Sequence, residues 1–301
     1  MFQYLYSYFD KIKNKKIAYI ICAIVRTIGN VFIPLRYRFT KTPTIRPYRD
    51  EQQVIISLTS FPKRISKLWI VIESLMRQKV KPDYIKLYLS KEQVKNLKEL
   101  PNSILKLQRN GLQIFIKDDD LRSHKKYYYV FQDNPEDLIV TVDDDIIYPS
   151  NMLKDLLDAF KSHPDCIVAR YGHYIKFKNS SILPYKEWDD DIKNNPSVNI
   201  FFGSGGGTLF QPNKINKDIL DKSIFMDICK LADDVWLNAY IRLSGFKVFL
   251  VNNISCSILN VQIKSDERLT TQNVGESLND SQIKNVCKYF KFKYNTNPFN
   301  G

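Results

Sequence analysis

The chain has 301 residues, 44% of them hydrophobic, and a formal net charge of +13. That length and apolar content suffice for a substantial buried core and exclude a fibrous or wholly disordered polypeptide. The charge is uneven: residues 1–50 hold ten basic and two acidic side chains, against 35 and 30 in residues 51–301. A basic, aromatic start ahead of a mildly charged body points to an anionic membrane surface, not to nucleic acid, because no interleaved basic and aromatic stripe recurs downstream. The cysteines, Cys22, Cys166, Cys229, Cys256 and Cys287, are odd in number and form no CxxC pair. Reduced thiols in a cytosolic setting are the expectation.

Ile17–Val25 is an apolar run behind the basic cluster Lys11, Lys13, Lys15 and Lys16. It is too short to cross a bilayer, which takes about 20 residues. Extending it to Leu35 places Arg26 within the span, at a cost of about 3 kcal/mol. The expectation is a helix lying in the membrane interface, on the inner face of the plasma membrane, with no cleaved signal peptide. Residues 36–50, with Pro43 and Pro47 and no apolar period, read as a linker. An α/β body is expected over 51–265 and a helical tail over 266–301.

Within the body, strand and helix patterns alternate, which predicts a mixed, mainly parallel sheet with helices on both faces. Val54–Leu58 is a strand, and Leu68, Ile72 and Leu75 give the next helix its apolar face. Ile85–Leu89 is a second strand, Lys91–Leu100 a charged helix, Ile114–Ile116 a third strand and Tyr127–Gln132 a helix. Leu138–Val142 has the apolar run of a buried strand and leads straight into Asp143, Asp144 and Asp145. Beyond lie a helix from Met152 to Phe160, a strand at Ile167–Arg170, a glycine-rich turn within Phe201–Phe210, a helix opening at Asp233, and a strand at Lys247–Val251. In the tail, Ile283, Val286 and Tyr289 set a helical period.

Three consecutive carboxylates at the end of a core strand repel one another unless a cation stands between them. A hard divalent ion, Mn²⁺ or Mg²⁺, meets that need, typically through one or two carboxylates plus substrate phosphates. Side chains alternate along a strand, so Asp143 and Asp145 share a face, with Asp144 opposite, if the extended geometry continues past Val142. The expectation assigns the metal to Asp145 and gives Asp143 either metal or ribose. Asp118 and Asp119 lie on the same carboxyl edge as Thr59 and Asp143, where open α/β sheets bind ligands. Gly205, Gly206 and Gly207 permit close approach of a ligand to the backbone, or else form a hairpin or bulge; the run lacks the lysine of a P-loop. Asp233 and Asp234 either cap their helix or supply a general base. Lys126 could screen a diphosphate, or be one end of a solvated helix start.

The ordered set TSFPKR, LIVTVDDDIIYP, GSGGGTLF and ADDVWL resembles the glycosyltransferases of the GT-A fold, particularly bacterial enzymes of surface-polysaccharide assembly, over about residues 52–255. The resemblance implies a Rossmann-like sheet, a nucleoside diphosphate sugar as donor and a glycan or lipid-linked acceptor. It places Thr59 and Arg64 near the nucleotide base, Asp143–Asp145 on metal and ribose-diphosphate, and Gly205–Thr208 along the donor sugar and acceptor. By the same resemblance Asp234, beside Asp233, is the general base. Many such enzymes have a late histidine ligand, but no histidine follows His173 here. Water and diphosphate, or a late carboxylate such as Asp266 or Glu267, would complete the metal shell. Two rival readings are nucleotidyl or phosphoryl transfer, and a membrane-surface module with no enzymatic activity.

Overall fold

In the computed structural model, residues 15–179, 181–189, 195–251, 259–262 and 278–300 are described. Helix α1 (Lys15–Phe39) precedes β1 (Val54–Thr59), α2 (Pro62–Met76), β2 (Tyr84–Ser90), β3 (Leu112–Lys117), α3 (Lys125–Asp133) and β4 (Leu138–Val142). Then follow α4 (Met152–Ser162), β5 (Cys166–Ala169), β6 (Gly172–Tyr174), β7 (Ile200–Phe202), β8 (Gly206–Phe210), α5 (Asp233–Leu243), β9 (Lys247–Leu250) and α6 (Leu278–Tyr294). One sheet of seven strands has the order β9-β5-β8-β4-β1-β2-β3. Only β8 runs against its neighbours, pairing antiparallel with both β4 and β5. The expected mixed, mainly parallel α/β sheet is therefore observed.

Alternation along the strands divides the core between the two faces of the sheet. Ile55, Tyr88 and Ile139 pack with the aromatic residues of α3 and with α5 and α6. Val54, Ile56, Leu58, Val140 and Val142 face the other way, onto α2 and α4. β4 sits between β1 and β8 and is buried along its whole length, so its carboxyl end is fixed from both sides.

Two expectations are corrected. Residues 36–39 continue α1, and residues 40–49 are not a loose linker but an extended strap held on the body. Asp83 is the reason: its carboxylate, 1% exposed, accepts from the backbone N–H groups of Tyr48, Arg49 and Val54 and from the Arg49 guanidinium at 2.6 Å. Burial would raise that carboxyl, but those donors outweigh burial and hold it below the ordinary range. Ile45 is buried beside Gly111, whose φ of +100° and 2.4 Å clearance to the Ile45 carbonyl leave no room for a side chain. Residues 91–100 form turns with a single 3-10 turn at Leu97–Glu99, not a helix. Asn96 accepts from the Lys98 N–H, and Pro101 keeps Leu100 extended, so local bonds compete with helix formation.

The tail helix α6 packs on the body, burying Ile283, Val286 and Phe290 against a cluster that includes Trp236 and Tyr240 of α5. Among the described residues, Cys22, Cys166, Cys229 and Cys287 are free thiols. Cys256, Asp266 and Glu267 lie outside the described residues.

Candidate active site at the carboxyl edge

Two turns build the site, one after β4 and one before β8. Gly206 pairs with Val142, and the ladder shifts by one residue at Gly207, whose φ of +101° suits only glycine. That bulge brings the Gly203–Gly205 turn over Asp143. The Asp143 N–H reaches both the Gly205 carbonyl (3.1 Å) and the Tyr148 hydroxyl (2.8 Å), while Tyr148 donates to Gly205 O at 2.5 Å. Thr141 Oγ1 donates to Ser204 O, and Thr208 Oγ1 to Gly203 O, so the turn is bonded at each end.

The three aspartates meet different surroundings. Asp144 turns inward, with a side chain 7% exposed, and takes Arg64 Nη1 at 2.6 Å and Ser60 Oγ at 2.5 Å. Burial lifts its carboxyl above the ordinary range, and Arg64 and Ser60 hold part of that rise back. Asp145 is 19% exposed and lies 3.1 Å from the same guanidinium. Asp143 is 42% exposed and accepts from Lys126 Nζ at 2.8 Å. The middle carboxylate is thus a buried anchor and the outer two face the open edge.

Lys126 also reaches Asp233 Oδ2 at 3.1 Å, so one enclosed ammonium joins the strand-end aspartates to the acidic pair of α5. Burial works against its charge, but Asp143, Asp233 and Asp234 outweigh burial and set the ammonium well above the ordinary lysine range. Ser57 Oγ donates to the Lys126 carbonyl at 2.6 Å and fixes the start of α3 against β1. Ser204 completes the bridge: its N–H donates to Asp234 Oδ1 and its hydroxyl to Asp233 Oδ2, both at 2.8 Å. Asn238, one turn along α5, exchanges hydrogen bonds with the Phe202 backbone.

This arrangement splits the acidic pair. For Asp233, burial is outweighed by Lys126 and its hydrogen bonds, which hold the carboxyl down at about 2. For Asp234, burial and the Asp233 charge act together and push the carboxyl up to about 7. Asp234 is nevertheless partly accessible at the open edge. Behind them, His124 is stacked on Phe225 at 4.2 Å, and burial pushes it down to about 4. Its Nε2 faces the Cys229 carbonyl, which can only accept, so Nε2 carries the proton and Nδ1 accepts from Tyr127.

Of the residues expected at the site, Asp143, Asp144, Asp145, Asp233, Asp234, Arg64, Lys126 and Gly205–Gly207 come together. Arg64, assigned to the nucleotide base from the sequence, instead has its guanidinium on Asp144 and Asp145. Thr59 lies at the neighbouring strand end with its hydroxyl on the Tyr88 carbonyl. Asp118 and Asp119 sit three strands away, past the sheet edge, paired with Lys91 and Lys222; Asp118 is 89% exposed. Ser60, Ser204 and Tyr148 are the residues that sequence reading missed. Hydroxyls in turns are common, and nothing in the pattern distinguishes these three.

No family model matches the sequence, and no curated protein does. Among solved structures, the mannosyltransferase PcManGT from Pyrobaculum calidifontis, in complex with GDP-Man and Mn²⁺, superposes with a TM-score of 0.50 at 11% identity, covering 92% of this chain and 77% of that one. The fold is that of the GT-A glycosyltransferases. GalNAc-T7 with UDP, GalNAc and Mn²⁺ matches at a TM-score of 0.45 and 11% identity, over 68% of this chain and 43% of that one. A 4-diphosphocytidyl-2C-methyl-D-erythritol synthase from Anaerococcus prevotii matches at 0.43 and 15%, over 75% and 96%. Scores at that level add nothing to the assignment.

In this GT-A sheet the fit to a divalent ion rests on the donor set. Asp143 and Asp145 offer hard carboxylate oxygens at the open edge, and Gly205 leaves the space beside them clear. A Cβ on Gly205 would stand 1.8 Å from Asp143 Oδ2. Among the described residues, no three His, Cys, Asp or Glu side chains converge as a ready-made cage. An ion there would take further oxygens from substrate or water, as Mg²⁺-type sites do.

Gly205→Ala should displace the Asp143 carboxylate, the movable group in that contact, while costing the fold little. Thermal unfolding should shift by no more than a few degrees, whereas Mn²⁺-dependent nucleotide binding measured by calorimetry should weaken at least about tenfold. Arg64→Met should strand the buried Asp144 charge and cost about 3–5 kcal/mol by urea unfolding at pH 8. The loss should shrink as the pH is lowered, because a carboxyl raised by burial takes up its proton more readily.

Proposed function

We propose that this chain is a metal-dependent glycosyltransferase that moves a sugar from a nucleoside diphosphate sugar to a hydroxyl of a glycan or lipid-linked acceptor. The observation that carries the reading is the Lys126 bridge, which joins Asp143 to Asp233 and so sets the acidic pair of α5, with Asp234 held through Ser204, beside the strand-end aspartates. The GDP-Man and Mn²⁺ complex of the mannosyltransferase accords with a divalent ion and a nucleotide-sugar donor. Asp143 and Asp145 would hold Mn²⁺ or Mg²⁺, which supplies positive charge for the departing diphosphate.

The chain's own residues do the rest. Asp234, raised above the ordinary carboxylate range by burial and the Asp233 charge, takes the proton from the acceptor hydroxyl as its oxygen attacks the anomeric carbon and the bond to the diphosphate breaks. The Ser204 N–H fixes which Asp234 oxygen faces inward, leaving the other for the acceptor. Asp233 stays ionised on Lys126 and acts by raising its neighbour. Arg64 and Ser60 hold Asp144 still, so that Asp143 and Asp145 project from a rigid base. Nucleotidyl transfer would favour a glycine- and lysine-bearing loop after the first strand. Here β1 runs through Thr59, Ser60 and Phe61 directly into α2, without a glycine.

Calorimetry with UDP and GDP, with and without Mn²⁺, tests the assignment. Wild type should bind one of the two only with metal, and Asp143→Ala with Asp145→Ala should abolish it. Metal-independent binding, or transfer that survives the double substitution, rules the reading out.

Asp234→Asn should lower kcat by about 10²–10⁴. In wild type, kcat/KM should fall about tenfold per pH unit below about 7, as Asp234 takes up its proton, and the variant should lack that limb. Stability should move the other way. A carboxyl raised on folding opposes folding once it is ionised, so at pH 8 the variant should be more stable, by roughly 1 kcal/mol after allowing for its partial accessibility.

A further inference from the structure

Helix α1 has two apolar sides. On one, Cys22 and Val25 are buried, Ile33 and Tyr37 pack on the core beneath α2, and Arg77 lies 4.7 Å over the Tyr37 ring. Asn30 fastens the same side to the body, donating to the Asn260 carbonyl (3.0 Å) and accepting from the Gln262 N–H (2.8 Å). On the opposite side, Ile20, Ile24, Ile28, Val31, Leu35 and Phe39 are all exposed. Their spacing is three or four residues, which at about 100° per residue confines them to an arc of about 100°.

Isolated exposed apolar side chains are ordinary, but a continuous stripe along about five turns of helix marks a surface that meets something apolar. Charge identifies the partner. Lys15–Phe39 contains no acidic residue and carries Lys15, Lys16, Arg26, Arg36 and Arg38; the strap that follows adds Lys41 and Arg46. An apolar stripe on a helix that carries basic residues and no acidic one matches an acyl surface beneath anionic headgroups.

The segment Tyr19–Phe39 is long enough to cross a bilayer by length and composition. Its docked side argues otherwise. Asn30 is tied to a strap whose Val261 N–H donates to the Asp145 carbonyl at 2.7 Å, so this flank of α1 is part of the polar carboxyl edge. Immersion in hydrocarbon on all sides would tear those bonds open.

We propose that α1 lies in the plane of an anionic bilayer, its exposed stripe among the acyl chains and its Asn30 side on the body, so that the carboxyl edge is held at a fixed height above the lipid.

Flotation of the full chain with vesicles tests this, using phosphatidylcholine alone and mixtures with about a third phosphatidylglycerol. Wild type should bind the anionic vesicles at least about tenfold more tightly and be released by alkaline carbonate. Ile24→Glu with Val31→Glu, both at exposed positions, should unfold at the wild-type temperature and lose at least about tenfold in binding. Equal binding by the variant, equal binding to neutral vesicles, or retention through carbonate would overturn the proposal. So would a lipid-free dimer, seen by sedimentation, that the two substitutions dissociate.

Discussion

The site depends on a single enclosed ammonium. Five carboxylates, Asp143, Asp144, Asp145, Asp233 and Asp234, crowd the end of one strand and the start of one helix, and the described side chains that oppose them directly are Lys126 and Arg64. Lys126 joins the two acidic groups, and Arg64 anchors the inward-facing aspartate with its neighbour. What they leave uncompensated faces the open edge. Asp143 and Asp145 thus keep carboxylate oxygens at the open edge, where a cation would be attracted.

The same ammonium explains why the acidic pair of α5 behaves as two different acids. A helix start ordinarily favours both carboxylates alike. Here Lys126 contacts Asp233 and leaves Asp234 with a charged neighbour, so geometry within a few ångströms separates their proton affinities in opposite directions. Ser204 spans the two, and it belongs to the glycine turn, so the loop that shapes the edge also holds both carboxylates in place.

Much of this was legible in the sequence, for definite reasons. β4 is a run of apolar and β-branched residues ending in carboxylates, a pattern that only a buried strand end makes sense of, and its limits were read correctly. The alternation of strand and helix periods gave the parallel sheet, and the order of motifs gave the GT-A likeness. What escaped depended on tertiary contact. Lys126 could be read as a screen for a diphosphate or as part of a solvated helix start, but not as a bridge between acidic groups, because its partners are 17 residues away in one direction and on another helix in the other. Residues 40–49 looked like a linker because the carboxylate that collects their N–H groups, Asp83, lies beyond a whole strand and helix. Lys91–Leu100 had a helical composition, but Asn96 and Pro101 impose local bonds that no periodicity count registers.

The Asn30 contact spans 230 residues of sequence, since its partners are Asn260 and Gln262. During synthesis α1 leaves the ribosome well before residues 259–262, which fasten it. The sheet has the same delay on a smaller scale, because β8 must arrive before β4 and β5 have a common neighbour. A growing chain thus presents its apolar helix long before it possesses a working edge. Exposure of the apolar helix and assembly of the carboxyl edge are separated in time by the order of the polypeptide itself.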